Sequence, residues 1–128
     1  MEEFPNIKIS KQDRSFLHLA MKMAETSECE QKHGAVIVKS GRVLALGNNK
    51  WRNRPTEGAV LNNEDMKNMT VHAEVDALSR VKNAHGAVIY VARVNGHGEP
   101  KMSRPCDNCY KAIKMAGLKR IIYTTDSF

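Results

Sequence analysis

Residues 71–94 read Val71-His72-Ala73-Glu74-Val75-Asp76-Ala77-Leu78-Ser79-Arg80-Val81, then a polar break, then Gly86-Ala87-Val88-Ile89-Tyr90-Val91-Ala92-Arg93-Val94. The first segment puts Val75, Leu78 and Val81 at one-face helical spacing and predicts a helix over 71–81. The second contains the apolar run 87–91, the mark of a strand covered on both faces. The pattern then repeats. Asn95 to Pro100 is a loop, Pro105 opens a helix in the favoured first-turn position, and Gly117 ends it. Lys119 to Thr125 is a last strand carrying Ile121, Ile122 and Tyr123. Helix and strand in tandem call for parallel pairing through right-handed crossovers.

Towards the N-terminus, Ser10-Lys11-Gln12-Asp13 resembles a capping box, and Phe16, Leu17, Ala20, Met23, Ala24 and Ser27 recur at helical spacing. This helix is predicted to run to about Glu28. Ala35-Val36-Ile37-Val38 and Val43-Leu44-Ala45-Leu46 flank a Ser40-Gly41 tip and read as a hairpin. Neither strand alternates cleanly, so both are expected to be covered on both faces. Residues 47–70 form a long polar connection, a length at which loops are usually functional. The predicted order is α-β-β-α-β-α-β.

The chain has 128 residues, enough for one domain with its own core. Hydrophobic residues are 41% and charged residues 27%, a globular balance. No apolar stretch is long enough to span a membrane, and Met1-Glu2-Glu3 is acidic where a secretory signal would be basic. A cytoplasmic protein is therefore expected. The odd count of cysteines, Cys29, Cys106 and Cys109, argues against a disulfide framework. Lys plus Arg is 20 against 14 acids, a net charge of +6. No acid lies between Glu30 and Glu57, a window holding Lys32, Lys39, Arg42, Lys50, Arg52 and Arg54. Such a window suits a nucleotide or nucleic acid, although a solvated face accounts for it equally well.

Chemistry gathers at two helix starts. Cys106 and Cys109 are three residues apart, so both sulfurs lie on one face of a first turn, where the helix dipole favours thiolate. With the His72 imidazole they make a three-ligand zinc site that leaves the fourth position for water. Glu74, two residues past His72, can stand beside that water without binding the metal, and zinc lowers the pKa of bound water towards about 7. Cys29 reads as a buried or half-buried free thiol. Residues 50–71 contain no His or Cys before Val71, so one zinc per chain is expected.

His72-Ala73-Glu74 followed by Pro105-Cys106-Asp107-Asn108-Cys109 resembles the signature of the zinc-dependent cytidine/deoxycytidylate deaminase superfamily. Gly34-Ala35-Val36-Ile37-Val38 and Gly47-Asn48-Asn49 resemble its first strand and the segment after its second. The resemblance extends over nearly the whole chain. It touches the branches that act on deoxycytidylate, on single-stranded polynucleotides and on tRNA adenosine. It implies a three-layer α-β-α fold, with a mixed sheet of about four strands, an antiparallel hairpin first and parallel strands later. It implies zinc on His72, Cys106 and Cys109, and proton shuttling by Glu74 as water displaces the amine of the base. The Ala73 N–H would hold the base, the Ser103 carbonyl would accept from the amine, and Asn49 would take the sugar, with Asn48 the alternative register.

The substrate is less sharply marked. An aromatic residue at Tyr123 resembles the pyrimidine branches, where it stacks near the base, and so favours cytosine over adenine; a tyrosine that merely fills the sheet edge is the alternative. Lys50, Trp51, Arg52 and Arg54 follow Asn49 and could track a strand, by phosphate contact and base stacking, or hold one phosphate. His97 and Arg104 are further phosphate candidates. The length of the basic window tips the balance slightly towards a strand. Three functions are open: a cytosine deaminase of nucleotides or single strands, a tRNA-type adenosine deaminase, and a zinc-stabilised nucleic-acid-binding domain without catalysis. Larger family members continue past the fourth strand, so the sheet edge here is expected to be covered by a second copy in a homo-oligomer.

Overall fold

Ser10 opens the first helix as its spacing implies. In a computed structural model describing the backbone of residues 2–5 and the whole of residues 9–52 and 70–128, the Ser10 hydroxyl accepts the Asp13 N–H at 3.0 Å. The Asp13 carboxylate accepts the Ser10 N–H at 3.4 Å. This reciprocal cap starts α1, Lys11–Glu25. The helix stops short of Glu28 because local bonds compete. The Thr26 hydroxyl turns back to the Met23 carbonyl at 2.6 Å, and the Ser27 hydroxyl leaves the helix for the Asn49 carbonyl at 2.9 Å.

The described strands are β1 Glu2–Pro5, β2 Lys32–Lys39, β3 Arg42–Asn48, β4 Lys50–Trp51, β5 Thr70–Val71, β6 Val88–Val94, β7 Pro100–Lys101 and β8 Arg120–Tyr123. Two further helices are α2, Ala73–Leu78, and α3, Asp107–Met115. β2 and β3 form the expected hairpin, closed by Ser40 and Gly41 at φ 51° and 77°. Two consecutive left-handed residues match the twist of the flanking strands.

The main sheet has the order β1-β8-β6-β2-β3, with β7 paired to β6. Its β8-β6-β2-β3 portion is the mixed sheet read from the sequence. β6 and β8 are parallel, and β2 runs against both its neighbours. β1 is an addition that the sequence does not announce. It pairs in parallel with β8, Glu2 beside Arg120 and Pro5 beside Tyr123. It therefore takes the edge that the sequence reading leaves to a second copy.

Parity along the strands sorts side chains onto two faces. Ala35, Ile37, Ile89, Val91, Ile121 and Tyr123 form one core with Ala73, Ala77 and Ile113 of α2 and α3. Val36, Val38, Tyr90, Ala92 and Ile122 form the other with Leu17 and Ala20 of α1. Each face has a glycine where a helix lies close. A Cβ on Gly34 would strike Ala20 O and Ala24 N of α1, and one on Gly47 would stand 2.6 Å from Ala73 O and Ala77 N of α2.

This close approach corrects the expected face of α2. Ala73 and Ala77 lie against the sheet, Val75 is exposed, and the helix spans only Ala73–Leu78. β3 is likewise not covered on both faces; as an edge strand it leaves Val43, Leu44 and Leu46 exposed. Pro105 precedes α3 by more than expected, since Cys106 is the N-cap. β4 and β5 pair with each other and draw the ends of the 47–70 connection together. Residues 53–69, Arg54 among them, lie outside the described residues. Among the described residues no helix is long and apolar enough to cross a membrane. Since β2 runs opposite to β3 and β6, its amino end lies beside their carboxyl ends, and the candidate site is built there.

Candidate active site and metal centre

His72 is the N-cap of α2 and Cys106 the N-cap of α3, with Cys109 in the first turn of α3. Neither cap side chain bonds its own helix. They meet each other instead. His72 Nδ1 lies 3.2 Å from Cys109 Sγ and 3.8 Å from Cys106 Sγ, and the ligand atoms all fall within 4.8 Å. Ordinary zinc–nitrogen and zinc–sulfur bonds in a tetrahedron set such atoms about 3.6 Å apart. The donor set thus fits zinc and leaves one position over. Its electrostatics point the same way. Burial, then the charges of Glu74 and Cys106, push the Cys109 thiol far up, and a divalent cation among these groups reverses that penalty.

A cavity of about 420 Å³ lies against this cluster. His72, Ala73, Glu74, Ser103, Arg104 and Cys106 line it, as do Asn49, His33, Gln31, Cys29 and Thr70. Glu74 is only 4% exposed. Burial lifts its carboxyl above the ordinary range, against its own backbone N–H, the neighbouring His72 charge and a hydrogen bond with Cys109. Ser103 is tied down from behind. Its hydroxyl donates to Val91 O at 2.8 Å, and its N–H donates to Thr124 O at 3.1 Å. Thr124, fully buried, returns an N–H to the Ser103 hydroxyl at 3.0 Å and donates its own hydroxyl to Lys101 O at 2.7 Å. The Ser103 carbonyl is left without a partner among the described residues.

Other expected site residues sort cleanly. Asn49 lines the cavity, and Asn48 is not among the described residues that line it. Asn48 is spent on the frame, with its N–H on Asp76 at 3.2 Å and its side-chain amide on the Thr26 hydroxyl at 2.8 Å. Lys50 points to the same frame, paired with Asp76 at 3.3 Å and bonded to Asn48 Oδ1. Trp51 pairs with Thr70 in β4–β5 and is half-buried, outside the cavity wall; Arg52 is exposed beyond it. Tyr123 is a correction: it is 8% exposed, packed in the core beneath α2 and α3, and does not line the cavity. His97 sits exposed in the turn between β6 and β7, its N–H on Asn95 Oδ1, also away from the cavity.

Thr124 and His33 are among the residues of the site that escape the sequence reading. Thr124 braces Ser103, and nothing in a Tyr-Thr-Thr run marks it. His33 stands in the cavity wall, where burial, then Arg93 and His72, push its pKa down to about 4. A signal for His33 exists. It occupies the same strand parity as Ala35 and Ile37, a position where the core pattern asks for an apolar side chain.

Residues 10–125 match the family model of the cytidine and deoxycytidylate deaminase zinc-binding region. The deoxycytidylate deaminase of Mycobacterium phage D29 is 32% identical over 132 residues, covering 90% of this chain and 95% of that protein. The dCMP deaminase of cyanophage S-TIM5 in its apo form has a TM-score of 0.63 at 25% identity, over 94% of this chain and 90% of that one. In its complex with dCMP and dUMP the same protein reaches 0.67 at 23% identity, over 92% and 85%. The Mycobacterium tuberculosis cytidine deaminase shares the fold, with a TM-score of 0.52 at 21% identity over 81% and 79%. With a three-ligand zinc cluster, a buried carboxyl beside it and a match over 10–125, the chain belongs to the cytidine and deoxycytidylate deaminase family.

Proposed function

We propose that this chain is a single catalytic domain that hydrolyses the amine of a cytosine nucleotide, dCMP foremost, leaving uracil and releasing ammonia. Glu74 carries the reading: a buried carboxyl beside His72 and Cys109 in the cavity wall, with a raised pKa that a structural zinc site has no use for. His72 Nδ1, Cys106 Sγ and Cys109 Sγ would hold one zinc ion, which when bound activates water as a nucleophile at neutral pH. Glu74 takes one proton from the attacking water and gives it to ring nitrogen N3, then takes the second from the hydroxyl now on C4, as that becomes the uracil carbonyl, and gives it to the amine, which departs as ammonia. A carboxyl whose pKa burial raises above the ordinary range suits both the base and the acid role. The Ala73 N–H, a first-turn donor with no intrahelical acceptor, holds the base carbonyl. The Ser103 carbonyl accepts from the amine, and Arg104 meets the phosphate.

A mononucleotide is favoured over a strand. Lys50 is engaged by Asp76, and Lys32 by the Ser27 carbonyl at 2.5 Å, so two of the six cations of the acid-free window are spent inside the protein. The phage relative is named for the same nucleotide. The adenosine reading and the non-catalytic reading are not favoured, by that relative and by Glu74 respectively. We extend the proposal to a cytoplasmic setting, supported by three free thiols. Self-association is proposed through the open β3 edge with its exposed Val43, Leu44 and Leu46; a monomer by light scattering would refute it. The decisive assay is product analysis of the zinc-loaded protein on cytidine, CMP, dCMP, single-stranded DNA and RNA, and adenosine-containing tRNA hairpins. Fastest turnover of dCMP to dUMP is expected. Inosine without uracil, or faster turnover of an oligonucleotide, would overturn the reading.

A further inference from the structure

The strap that carries Ser103 towards the zinc cysteines is fastened to the chain just past β8. Strand β7 ends at Lys101 and α3 begins at Asp107, so residues 102–106 cross from sheet to helix with no helix or strand of their own. Three successive residues are tied to the corner 124–126. The Lys101 carbonyl accepts the Thr124 hydroxyl at 2.7 Å, the Met102 N–H donates to Asp126 Oδ1 at 3.0 Å, and the Ser103 N–H donates to Thr124 O at 3.1 Å. The Ser103 hydroxyl adds to these ties: it accepts the Thr124 N–H at 3.0 Å and donates to Val91 O at 2.8 Å.

Thr124 also locks the strap to the sheet. Its N–H reaches Val91 O at 3.0 Å, and its hydroxyl accepts the Arg93 N–H at 3.1 Å. It is fully buried and is not among the described residues that line the cavity. The consequence falls on Ser103. Its side chain is turned to the sheet, so Ser103 lines the cavity with main chain. A carbonyl there accepts and never donates. It matches the amine of cytosine, a donor, and opposes O4 of uracil, an acceptor. That opposition is felt only by a carbonyl that cannot turn away.

We infer that Thr124 is a positioning residue that separates substrate from product: by fixing the strap 101–103 it holds the Ser103 carbonyl where it favours the amine of dCMP and disfavours O4 of dUMP. The inference rests on the reading of the chain as a deaminase of cytosine nucleotides. Asp126 shares the duty through its bond to the Met102 N–H.

The test measures kcat/KM for dCMP and the inhibition constant of dUMP on the zinc-loaded protein, unaltered and as Thr124→Val, which keeps the shape of the side chain without its hydroxyl. One uncharged hydrogen bond held out of line should lower kcat/KM for dCMP about tenfold. Over the same change dUMP should bind as well as before or better. Thr124→Ser, which keeps the hydroxyl, should restore both constants. Ser103→Ala, which keeps the carbonyl and loses a tie, should repeat the Thr124→Val pattern. If Thr124→Val fails to fold, as zinc content and melting temperature would report, Asp126→Ala cuts the strap at an exposed bond and should move the two constants the same way by less. Binding of dUMP that weakens in step with dCMP turnover makes Thr124 a support of the whole cavity and overturns the inference. So do unchanged constants in the folded variant. An unaltered enzyme that leaves dCMP untouched overturns the underlying reading instead, and is seen before any variant is made.

Discussion

Two buried carboxyls on opposite faces of one sheet are held on opposite terms. Asp13, in the first turn of α1, is 8% exposed and Glu74, in the first turn of α2, is 4% exposed. Burial pushes both carboxyls up. At Asp13 it is outweighed by the Tyr90 hydroxyl at 2.5 Å, the Ser10 hydrogen bonds and the Arg120 guanidinium at 3.5 Å, which hold the group below its ordinary range. At Glu74 a backbone N–H, the His72 charge and a hydrogen bond with Cys109 pull the other way, and burial wins. Depth is nearly equal; the supply of donors differs. A carboxylate with enough partners is a structural member, and one kept short of them is a proton carrier in waiting.

Zinc removal should separate the two faces most sharply. Chelation should abolish turnover and lower the melting temperature, because metal binding energy is coupled to folding. Hydrogen exchange should then rise in α2 and α3 well before α1. Equal loosening on both faces would erase the contrast. Glu74→Gln comes next: zinc content and melting temperature kept, deamination of dCMP down by roughly 10²–10⁴, the range for a lost general acid–base. Near-normal turnover would move the proton carrier elsewhere.

Asp13→Ala should do the reverse. It leaves the Tyr90 hydroxyl unpaired and removes half of a capping box, so a loss of about 1–3 kcal/mol is expected in urea unfolding, with kcat unchanged. Because the folded pKa of Asp13 is lowered, its contribution is whole above the unfolded value of about 4 and vanishes as pH falls through the folded one. The gap in stability between the unaltered protein and Asp13→Asn should therefore close in acid. A gap that persists there would assign the effect to packing. The smallest effect belongs to Lys50→Ala. An exposed lysine paired with Asp76 should cost no more than about 1 kcal/mol and leave KM for dCMP unmoved. A large rise in KM would return Lys50 to the substrate.

The metal cluster was legible because its chemistry lies in residue types at short spacing: His72 with Glu74, Cys106 with Cys109. The hairpin was legible in two apolar runs and a Ser-Gly tip. Tyr123 misled because an aromatic side chain at a strand end reads alike whether it faces a cavity or a core, and parity with Ile121 decides for the core. The buried face of α2 was hidden by Gly47, whose missing side chain lets Ala73 and Ala77 outcompete Val75 for contact. β1 could not be read at all, since Glu-Glu-Phe-Pro becomes a strand only through a partner far along the chain.

That partner gives β1 a place in time as well as in space. While the polypeptide is being made, β1 is the first of the described strands to emerge and the last to find its neighbour, because Arg120–Tyr123 follows every other strand. Closing so long a loop costs entropy that short-range contacts such as the β2–β3 hairpin do not incur. Among the described residues, the cavity wall comes from residues between 29 and 49 and between 70 and 106. A nascent chain can thus assemble its chemistry first and seal its margin afterwards. Amides of β1 should trade hydrogen with solvent ahead of those in β6, and a protease should reach the N-terminal segment without cost to turnover.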